Sequence, residues 1–438
     1  MPTLLFAPMP LAGHVNPTLK LAKTLRARGH RIVYTSLPEV EDTVRAEGFD
    51  FVPVFGSIYP KGTLAELSAR LPTLRGLSLL RVGREFLQRR EAMFQAGLAG
   101  EYDRMLDAVR PELVLCDERV PDLPLVCHGH GVSTVRLNTT VPRHLLHTLP
   151  GTSEVARPGK PVIAVLKGLE RLLSQLGLAP RFQWYHSQLA SKHGCPRDAV
   201  LFPPFFLPRL PDLVLFPEAF GTPRTPEARA RVHHLGPSID LERREPAFPW
   251  ERLEEGRPLV YVSLGTMAYT SRLMPRLLRV AAEAAARRPD WRFVLAVGTA
   301  LEPARFEELA PNVIAVRHAP QLQLLRKAAA MVTHAGFNSV KECIYFGVPM
   351  VALPMQHDQP DVARMVVHHG LGVKGHPARL DVDGLLALLD EVVGHHPARA
   401  QALEEMKARF REAESPEANV TTVERFLGSA RARVTATG

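Results

Sequence analysis

Residues 333–342 read THAGFNSVKE and bring a histidine, an amide, a hydroxyl and a carboxylate together around one glycine. An apolar run at residues 328–332 comes directly before them and is typical of a buried strand. The pattern therefore predicts a strand that reverses into a helix at Gly336. A turn of this kind has two interpretations, one structural and one chemical.

The structural interpretation is a helix cap. Ser339 and Glu342 fit the S-x-x-E capping box, in which two side chains satisfy backbone N–H groups at the start of a helix. The chemical interpretation is a phosphate site, because free N–H groups and the positive end of a helix dipole bind anions at such a turn. In that case His334 and Ser339 would donate hydrogen bonds to the phosphate. Both interpretations stay open at this point.

Other polar residues stand directly after strand-like runs. Ligands of open parallel sheets bind beyond the carboxyl ends of the strands, so chemistry is expected at these positions. His14 follows the first such run, and Asp117 follows another run of the same half. A neutral imidazole whose tautomer is fixed by a carboxylate is a general base for an alcohol. We therefore interpret His14 and Asp117 as a candidate catalytic pair.

Two segments of the second half also offer polar side chains after strands. SLGT ends in the hydroxyl of Thr266, which is expected to face the same phosphate as the turn at residues 333–342. PMQHDQ presents Asp358 and Gln359 side by side, an acid and an amide suited to bonds with sugar hydroxyls. These two residues also fit the start of a helix, so a capping role stays open for them.

The order of the predicted elements indicates parallel sheets. Residues 4–7 form an apolar run, a helix is predicted over 18–28, and a strand-like run follows at 31–35, which makes a β-α-β unit. Asn16 is expected to cap that helix. Pro17 is expected at its first position, where a missing N–H costs nothing.

The same alternation continues through a second half of the chain. A strand is predicted over residues 112–116, and a proline-rich, charged connector at 233–251 precedes further strands and helices. We infer an α/β fold of two Rossmann-like parallel-sheet domains, residues 1–235 and 236–438, with the last helix a candidate to pack back on the first domain. The irregular, proline-rich residues 142–211 are expected to shape a pocket or to pack over the sheet.

The bulk composition is that of a folded protein in a reducing compartment. Of 438 residues, 46% are hydrophobic and 23% are charged. The net charge of +9 comes with arginines scattered along helical stretches, which argues against a nucleic-acid partner and allows at most a loose attraction to acidic lipid. The four cysteines have no paired spacing, and no apolar run approaches the roughly 18 residues of a membrane span. We expect a cytoplasmic protein; the sequence does not set its oligomeric state.

Several other kinds of site are disfavoured. The chain lacks the G-x-G-x-x-G motif of dinucleotide oxidoreductases after its first strand, and it lacks the P-loop motif of ATPases. CHGH at residues 127–130 holds three metal ligands too close together, without a distant partner in the sequence. The D-x-D at residues 381–383 fits a helix cap. We therefore expect no resident metal or cofactor.

Residues 316–359 resemble a known family. The segment VRHAPQLQLLRKAAAMVTHAGFNSVKECIYFGVPMVALPMQHDQ is similar to the signature of family-one, nucleotide-sugar-dependent glycosyltransferases, whose GT-B fold places two Rossmann-like domains around a cleft. AGHVNP near the N-terminus and GPSID at the connector also resemble that family, so the likeness spans the chain. The family includes enzymes that act on macrolides and carotenoids.

The resemblance implies a role for each matching residue. His14 would deprotonate the acceptor, with Asp117 as its partner. Glu342 would bind the ribose hydroxyls, and Asp358 with Gln359 would bind the sugar. The remaining contacts to the base and the diphosphate would come from Thr266, His318, Ala319, Gln321, His334, Gly336, Asn338 and Ser339.

The chain departs from the family pattern at two places. His318 stands where many members carry a tryptophan that stacks on uracil. Ala335 and Phe337 stand where plant members often carry Cys and Trp. The choice between uridine and thymidine diphosphate donors therefore stays open.

Together these observations predict an inverting glycosyltransferase that moves a hexose, in first place glucose from UDP-glucose, to a hydroxyl of a small lipophilic acceptor. Inversion is expected because one base, His14, is evident and no second carboxylate is placed to form a covalent intermediate. Two alternatives remain, a nucleotide-sugar epimerase of similar architecture and a non-catalytic nucleotide-sugar-binding protein. The pairing of His14 with Asp117 disfavours the second.

Overall fold

The computed structural model describes residues 1–70, 77–142, 181–196, 210–221, 223, 225–253, 256–265, 273–299, 301–394 and 396–427. Within these residues the chain builds two parallel sheets flanked by helices, so the predicted α/β fold is confirmed. One sheet has seven strands and the other has six.

The seven-stranded sheet is built from the first half of the chain. Its order is β3-β2-β1-β4-β5-β6-β7, and every pair is parallel. The strands are β1 Thr3–Ala7, β2 Arg31–Ser36, β3 Asp50–Pro53, β4 Leu113–Cys116, β5 Ser133–Asn138, β6 Asp212–Val214 and β7 Val232–His234. Its helices are α1 Ala12–Ala27, α2 Glu41–Ala46, α3 Thr63–Arg70, α4 Leu77–Leu98, α5 Glu101–Val109, α6 Asp122–Gly129, α7 Phe182–Lys192 and α8 Pro226–Arg229, with a 3-10 turn at Pro38–Val40.

The six-stranded sheet has the order β10-β9-β8-β11-β12-β13 and is also parallel throughout. Its strands are β8 Leu259–Ser263, β9 Arg292–Ala296, β10 Val313–Val316, β11 Ala328–Thr333, β12 Met350–Ala352 and β13 Gly372–Lys374. A 3-10 turn at Trp250–Arg252 precedes them. The helices that follow are α9 Met274–Ala286, α10 Ala304–Glu307, α11 Gln321–Leu325, α12 Phe337–Phe346, α13 Gln359–His368, α14 Val382–Val393, α15 Pro397–Glu412 and α16 Pro416–Glu424.

Both faces of each sheet are buried, which explains why the strands read as continuous apolar runs rather than alternating patterns. In β1, Leu4 and Phe6 join the core on one face, while Leu5 and Ala7 join the core on the other. A break in strand order lies between β1 and β4, and another lies between β8 and β11. Ligands of open sheets bind at such points, beyond the carboxyl ends of the strands.

The predicted start of the first helix is wrong. Helix α1 begins at Ala12, not near Thr18, and Asn16 is not its cap. Pro17 lies inside the helix rather than at its first position. A proline lacks the N–H that would bond to the carbonyl four residues earlier, here Gly13, and that oxygen accepts a hydrogen bond from Asn338 instead. His14 consequently belongs to the first helical turn and not to a loop.

The capping box is also wrong. Helix α12 begins at Phe337 with Gly336 at the N-cap position, so Ser339 lies inside the first turn. The turn is made by Ala335, whose φ of 61° is in the left-handed region. The cap predicted for the D-x-D segment is confirmed, since Asp381 accepts a hydrogen bond from the Gly384 N–H at 2.8 Å.

The last described helix contacts the first half of the chain. Val420 and Val423 of α16 join the same core as Leu4 and Phe6 of β1. His30 Nε2 lies 2.8 Å from a Glu424 carboxylate oxygen in the same region. The last strand of the first sheet ends at His234 and the first strand of the second sheet begins at Leu259, while the domain limits at residues 235 and 236 stay a prediction.

No helix in the described ranges combines the length and the apolar character that crossing a bilayer requires. All four cysteines carry free thiols, and Cys116, Cys127 and Cys343 are buried in the core.

Candidate active site

His14 and Asp117 are in hydrogen-bond contact at the carboxyl edge of the first sheet. The distance from His14 Nδ1 to Asp117 Oδ2 is 2.7 Å. Asp117 directly follows β4, and His14 lies in the helical turn that follows β1. These two strands are neighbours in the sheet, which is why residues far apart in the sequence meet there.

Thr139 completes this cluster, and sequence reasoning missed it. Its hydroxyl oxygen lies 3.0 Å from His14 Nδ1 and donates to Asp117 Oδ2 at 3.3 Å. The side chain is buried and directly follows β5, the strand beside β4. The rule that singled out Asp117, a polar residue immediately after a strand, would have found Thr139 as well.

The electrostatics of the pair suit a base. Burial works against the charged imidazolium, but the attraction and hydrogen bond of Asp117 outweigh it, so the pKa of His14 is raised above 6.5. Burial works to raise the pKa of Asp117, but His14 and the Arg119 backbone N–H lower it overall. An ionised Asp117 accepts the Nδ1 proton, which leaves the lone pair of the neutral ring on Nε2.

A cavity of about 240 Å³ lies beside this pair. Its wall includes Met9 and Pro10, which precede α1, and Arg119, which is two residues after Asp117. The rest of the wall is mainly apolar and aromatic, with polar groups at a few points: Phe55, Tyr59, Phe86, Arg90, Met93, Phe94, Asp122, Phe182 and His186. His186 Nε2 and Asp122 Oδ1 lie 2.6 Å apart, so the wall of the cavity contains a buried, hydrogen-bonded polar pair.

The carboxyl edge of the second sheet holds His334, directly after β11. A Cβ at Gly265 or Gly336 would come within 2.5 Å or 2.3 Å of the His334 ring, so the ring is packed between two glycine backbones. Burial lowers the pKa of His334 to about 4. The ring is therefore neutral at pH 7 and can offer a phosphate a hydrogen bond but no positive charge.

The N-terminus of α12 follows His334. Its N-cap residue, Gly336, makes no side-chain capping bond to the first turn. Asn338 and Ser339 lie in that turn; the Asn338 amide donates to the Gly13 carbonyl, and the Ser339 hydroxyl lies 3.4 Å from Gln321 Nε2. The N-terminus of α12 therefore keeps the positive end of the helix dipole, which the phosphate interpretation requires.

Glu342 is buried and already bonded within the protein. Its carboxylate accepts hydrogen bonds from the Arg243 guanidinium at 2.6 and 3.3 Å and from Gln321 Nε2 at 2.5 Å. Gln321 in turn accepts a bond from the Tyr261 hydroxyl at 3.2 Å. The structure thus brings together Gln321 and Glu342, which the sequence singled out, and adds Arg243 and Tyr261, which it did not.

Asp358 and Gln359 stand at the predicted start of a helix, α13, but Asp358 at the N-cap position makes no side-chain capping bond. Gln359 is the first helical residue, and its side-chain oxygen accepts the backbone N–H groups of Met355 and Gln356 at 2.9 and 3.0 Å. Asp358 is largely buried, and its negative charge contributes to the raised pKa of His14. The charge of a carboxylate from the second half therefore acts on the base of the first half.

For the other residues predicted to contact the nucleotide, the structure gives only their exposure and their position in the chain. His318 is exposed and Ala319 is partly buried, both just before α11. Thr266 lies outside the described residues, as do most of residues 142–211.

The CHGH segment gains distant partners that the sequence did not reveal. His130 Nε2 lies 2.9 Å from Asp103 Oδ1, and His193 is close enough to complete a group of three metal-ligand types. The ammonium of Lys192 lies 3.0 Å from the second Asp103 oxygen. This ammonium already neutralises the carboxylate, so the group is accounted for by ion pairing.

Comparisons with known proteins identify the family. A family model described as UDP-glucoronosyl and UDP-glucosyl transferase matches residues 251–403. The oleandomycin glycosyltransferase of Streptomyces antibioticus is 32% identical over 82% of this chain and 76% of its own length. The NDP-glycosyltransferase YjiC of Bacillus licheniformis is 26% identical over 96% of this chain and 97% of its own.

The fold agrees with solved glycosyltransferases. The structure titled as the glycotransferase of kitacinnamycin superposes with a TM-score of 0.70 over 98% of this chain and 100% of its own, at 24% identity. The chain belongs to the UDP-glycosyltransferase family: it is a GT-B glycosyltransferase that takes a nucleotide-sugar donor, rather than an epimerase or a non-catalytic binding protein.

Proposed function

We propose that this chain transfers glucose from UDP-glucose, with inversion and without a metal ion, to a hydroxyl of a small lipophilic acceptor. The observation that carries the proposal is the contact of 2.7 Å between His14 and Asp117 beside an apolar cavity, with the donor-site helix α12 facing it.

The acceptor hydroxyl gives up its proton to His14 Nε2. Its oxygen forms the new bond to the anomeric carbon while the bond from that carbon to the diphosphate oxygen breaks, and UDP leaves with the bonding electron pair. Asp117 holds the ring in the tautomer that accepts a proton at Nε2 and stabilises the imidazolium that forms. Proton, nucleophile and leaving group are thereby accounted for in one step.

Stabilisation of the leaving diphosphate falls to the N-terminus of α12 and to hydrogen bonds from hydroxyl groups and from the neutral imidazole. Gly336 at the N-cap leaves the helix end without a side-chain cap, and Ser339 and His334 lie beside it. Preorganised donors of this kind stabilise developing negative charge. The proposal therefore assigns this role to the protein rather than to a magnesium ion.

Inversion is proposed because the carboxylate beside the base is already engaged. Asp117 uses one oxygen for His14 and the other for the Arg119 backbone N–H, so it is not free to attack the anomeric carbon. A single direct displacement turns an α-linked donor into a β-linked product.

Two features support the choice of substrates. A buried carboxylate at Glu342 suits the paired 2′ and 3′ hydroxyls of a ribose, which favours UDP over a deoxyribose donor. The cavity volume of about 240 Å³ is just below the roughly 300 to 1,000 Å³ of most small-molecule sites, and its wall is mainly apolar. A small apolar alcohol or phenol fits such a site.

The test is transfer to a panel of lipophilic alcohols and phenols in excess chelator, with the anomeric coupling of the product read by proton NMR. The expected result is a β-linked glucoside formed at an undiminished rate, with UDP-glucose used more efficiently than dTDP-glucose. Strict dependence on added metal, or an α-linked product, would overturn the mechanism. Preference for dTDP-glucose would overturn the donor assignment.

A further inference from the structure

Arg243 lies on the connector between the two sheets, yet its guanidinium is bonded to the carboxylate of Glu342 on α12. Nη1 donates to Oε1 at 2.6 Å and Nη2 to Oε2 at 3.3 Å, which is a two-pronged contact. The side chains of Arg243 and Glu342 are 18% and 7% exposed. The pair is therefore shielded from solvent, unlike the many surface ion pairs of this arginine-rich chain.

The same arginine is held from the other side. Its Nη2 also donates to Glu245 at 3.3 Å. The Glu245 carboxylate accepts the backbone N–H groups of Leu322 and Gln323, at 2.9 and 3.2 Å, in the first turn of α11. The connector therefore fixes Arg243 to the helix that carries Gln321, and Gln321 itself donates to Glu342.

The charges explain why an arginine is needed here. A buried carboxylate without a partner is costly, and close to a bound diphosphate it would also repel the donor. Arg243 compensates that charge while leaving part of the carboxylate available. Among the described residues, Glu342 Oε1 receives one hydrogen bond, from Arg243, and a carboxylate oxygen offers about two acceptor positions.

We propose that Arg243 is a positioning residue for the donor: it holds the Glu342 carboxylate oriented so that its remaining acceptor positions meet the ribose hydroxyls of a ribonucleoside diphosphate sugar. The inference rests on the proposed function, in which Glu342 binds the ribose. It assigns to Arg243, a connector residue that lies outside both sheets, a share in the choice between ribose and deoxyribose donors.

The test is calorimetric binding of UDP and of 2′-deoxy-UDP to the full chain. Arg243→Met removes the charge and the paired hydrogen bonds of the guanidinium while keeping much of the aliphatic side chain. Arg243→Lys keeps the charge without the paired hydrogen bonds. Together with the wild type and Arg243→Met, the variants Glu342→Gln and Arg243→Met/Glu342→Gln form a double-mutant cycle. Arg252→Met is the matched control, because Arg252 lies just after the connector in an exposed ion pair with Glu307 at 3.1 Å.

Arg243→Met is expected to weaken UDP about ten- to a hundredfold and 2′-deoxy-UDP clearly less, so that the preference for the ribose falls. Arg243→Lys recovers part of the loss. The double variant binds UDP no worse than Glu342→Gln, because Arg243 acts through that carboxylate. Arg252→Met leaves both affinities at the wild-type level.

Two results separate the failure of this inference from that of the proposed function. If Glu342→Gln itself leaves UDP affinity and the ribose preference unchanged, Glu342 is not the ribose ligand and the donor assignment fails. The inference is wrong if Glu342→Gln lowers UDP affinity but Arg243→Met lowers the affinities for UDP and 2′-deoxy-UDP equally. It is also wrong if the losses of UDP affinity in the two single variants simply add in the double variant. In both cases Arg243 is only a structural support.

Discussion

The side-chain amide of Asn338 donates a hydrogen bond to the backbone carbonyl of Gly13 and so joins helix α12 to the first turn of α1. Pro17 cannot supply the N–H that would normally bond to this carbonyl. An amide from one half of the chain thus completes the hydrogen bonding of a helix in the other half, one residue away from His14.

Replacement of Asn338 by alanine should lower the free energy of unfolding by about 0.5 to 1.5 kcal/mol, because the Gly13 carbonyl loses its partner. In a Pro17→Ala background the new N–H competes for the same oxygen, so the loss caused by Asn338→Ala should shrink. Urea unfolding of the four proteins of this cycle measures the coupling. Equal losses in both backgrounds would show that the two groups do not share the carbonyl.

His14→Ala should abolish transfer while UDP binding persists, since the base belongs to the first half and the nucleotide to the second. Loss of a general base typically costs about 10² to 10⁴ in rate. Initial rates and UDP calorimetry measure the two effects separately. His128→Ala, at an exposed histidine, is the control and should keep both. If UDP binding disappeared together with activity, His14 would be a nucleotide ligand or a structural residue.

The pH dependence of kcat/KM should show the titration of His14 in its pair with Asp117. His14 works as a base only when neutral, and its pKa is raised above 6.5, so kcat/KM should rise with pH through a value higher than 6.5. In Asp117→Asn the attraction is lost while burial remains, so the acidic limb should move below 6.5 and the maximal rate should fall. An acidic limb that stays in place in this variant would mean that another group titrates.

Gly336→Ala should weaken UDP and lower the melting temperature, because a Cβ there would lie 2.3 Å from His334 Nε2 and the ring would have to leave its position between two backbones. Its φ of −63° is one that alanine adopts, so the close contact alone is tested. Gly83→Ala is the control: it lies inside α4 with nothing within 4 Å of the added atom and should raise stability by up to about 1 kcal/mol. Unchanged UDP affinity in Gly336→Ala would remove His334 from the donor site.

Local sequence patterns determined the architecture. The apolar runs before Asp117 and His334 are strands, and they lack alternation because both faces of each sheet are buried. The cap at Asp381 is also local, because its partner Gly384 lies only three residues later in the sequence. The polar residues after the strands marked the edges at which the site lies, because parallel strands bring their carboxyl ends to one side.

Helix starts were less well determined. Residues 12–17 read as a loop with a cap at Asn16, yet α1 starts at Ala12, because a partner from α12 satisfies the carbonyl that Pro17 leaves open. Ser339 and Glu342 matched a capping box by spacing, but Gly336 begins the helix and Glu342 is turned toward Arg243. Local spacing cannot report a partner supplied from another part of the chain.

Only the tertiary structure decided which residues share a site. His14, Asp117 and Thr139 follow three different strands, and their contact depends on the strand order β1-β4-β5, which no local pattern encodes. Arg243 stands in a connector whose composition resembles a simple linker, and its contact with Glu342 forms only when the chain folds. Residue type and spacing set which chemistry is available, whereas burial and long-range contacts set the charge, the tautomer and the partner of each group.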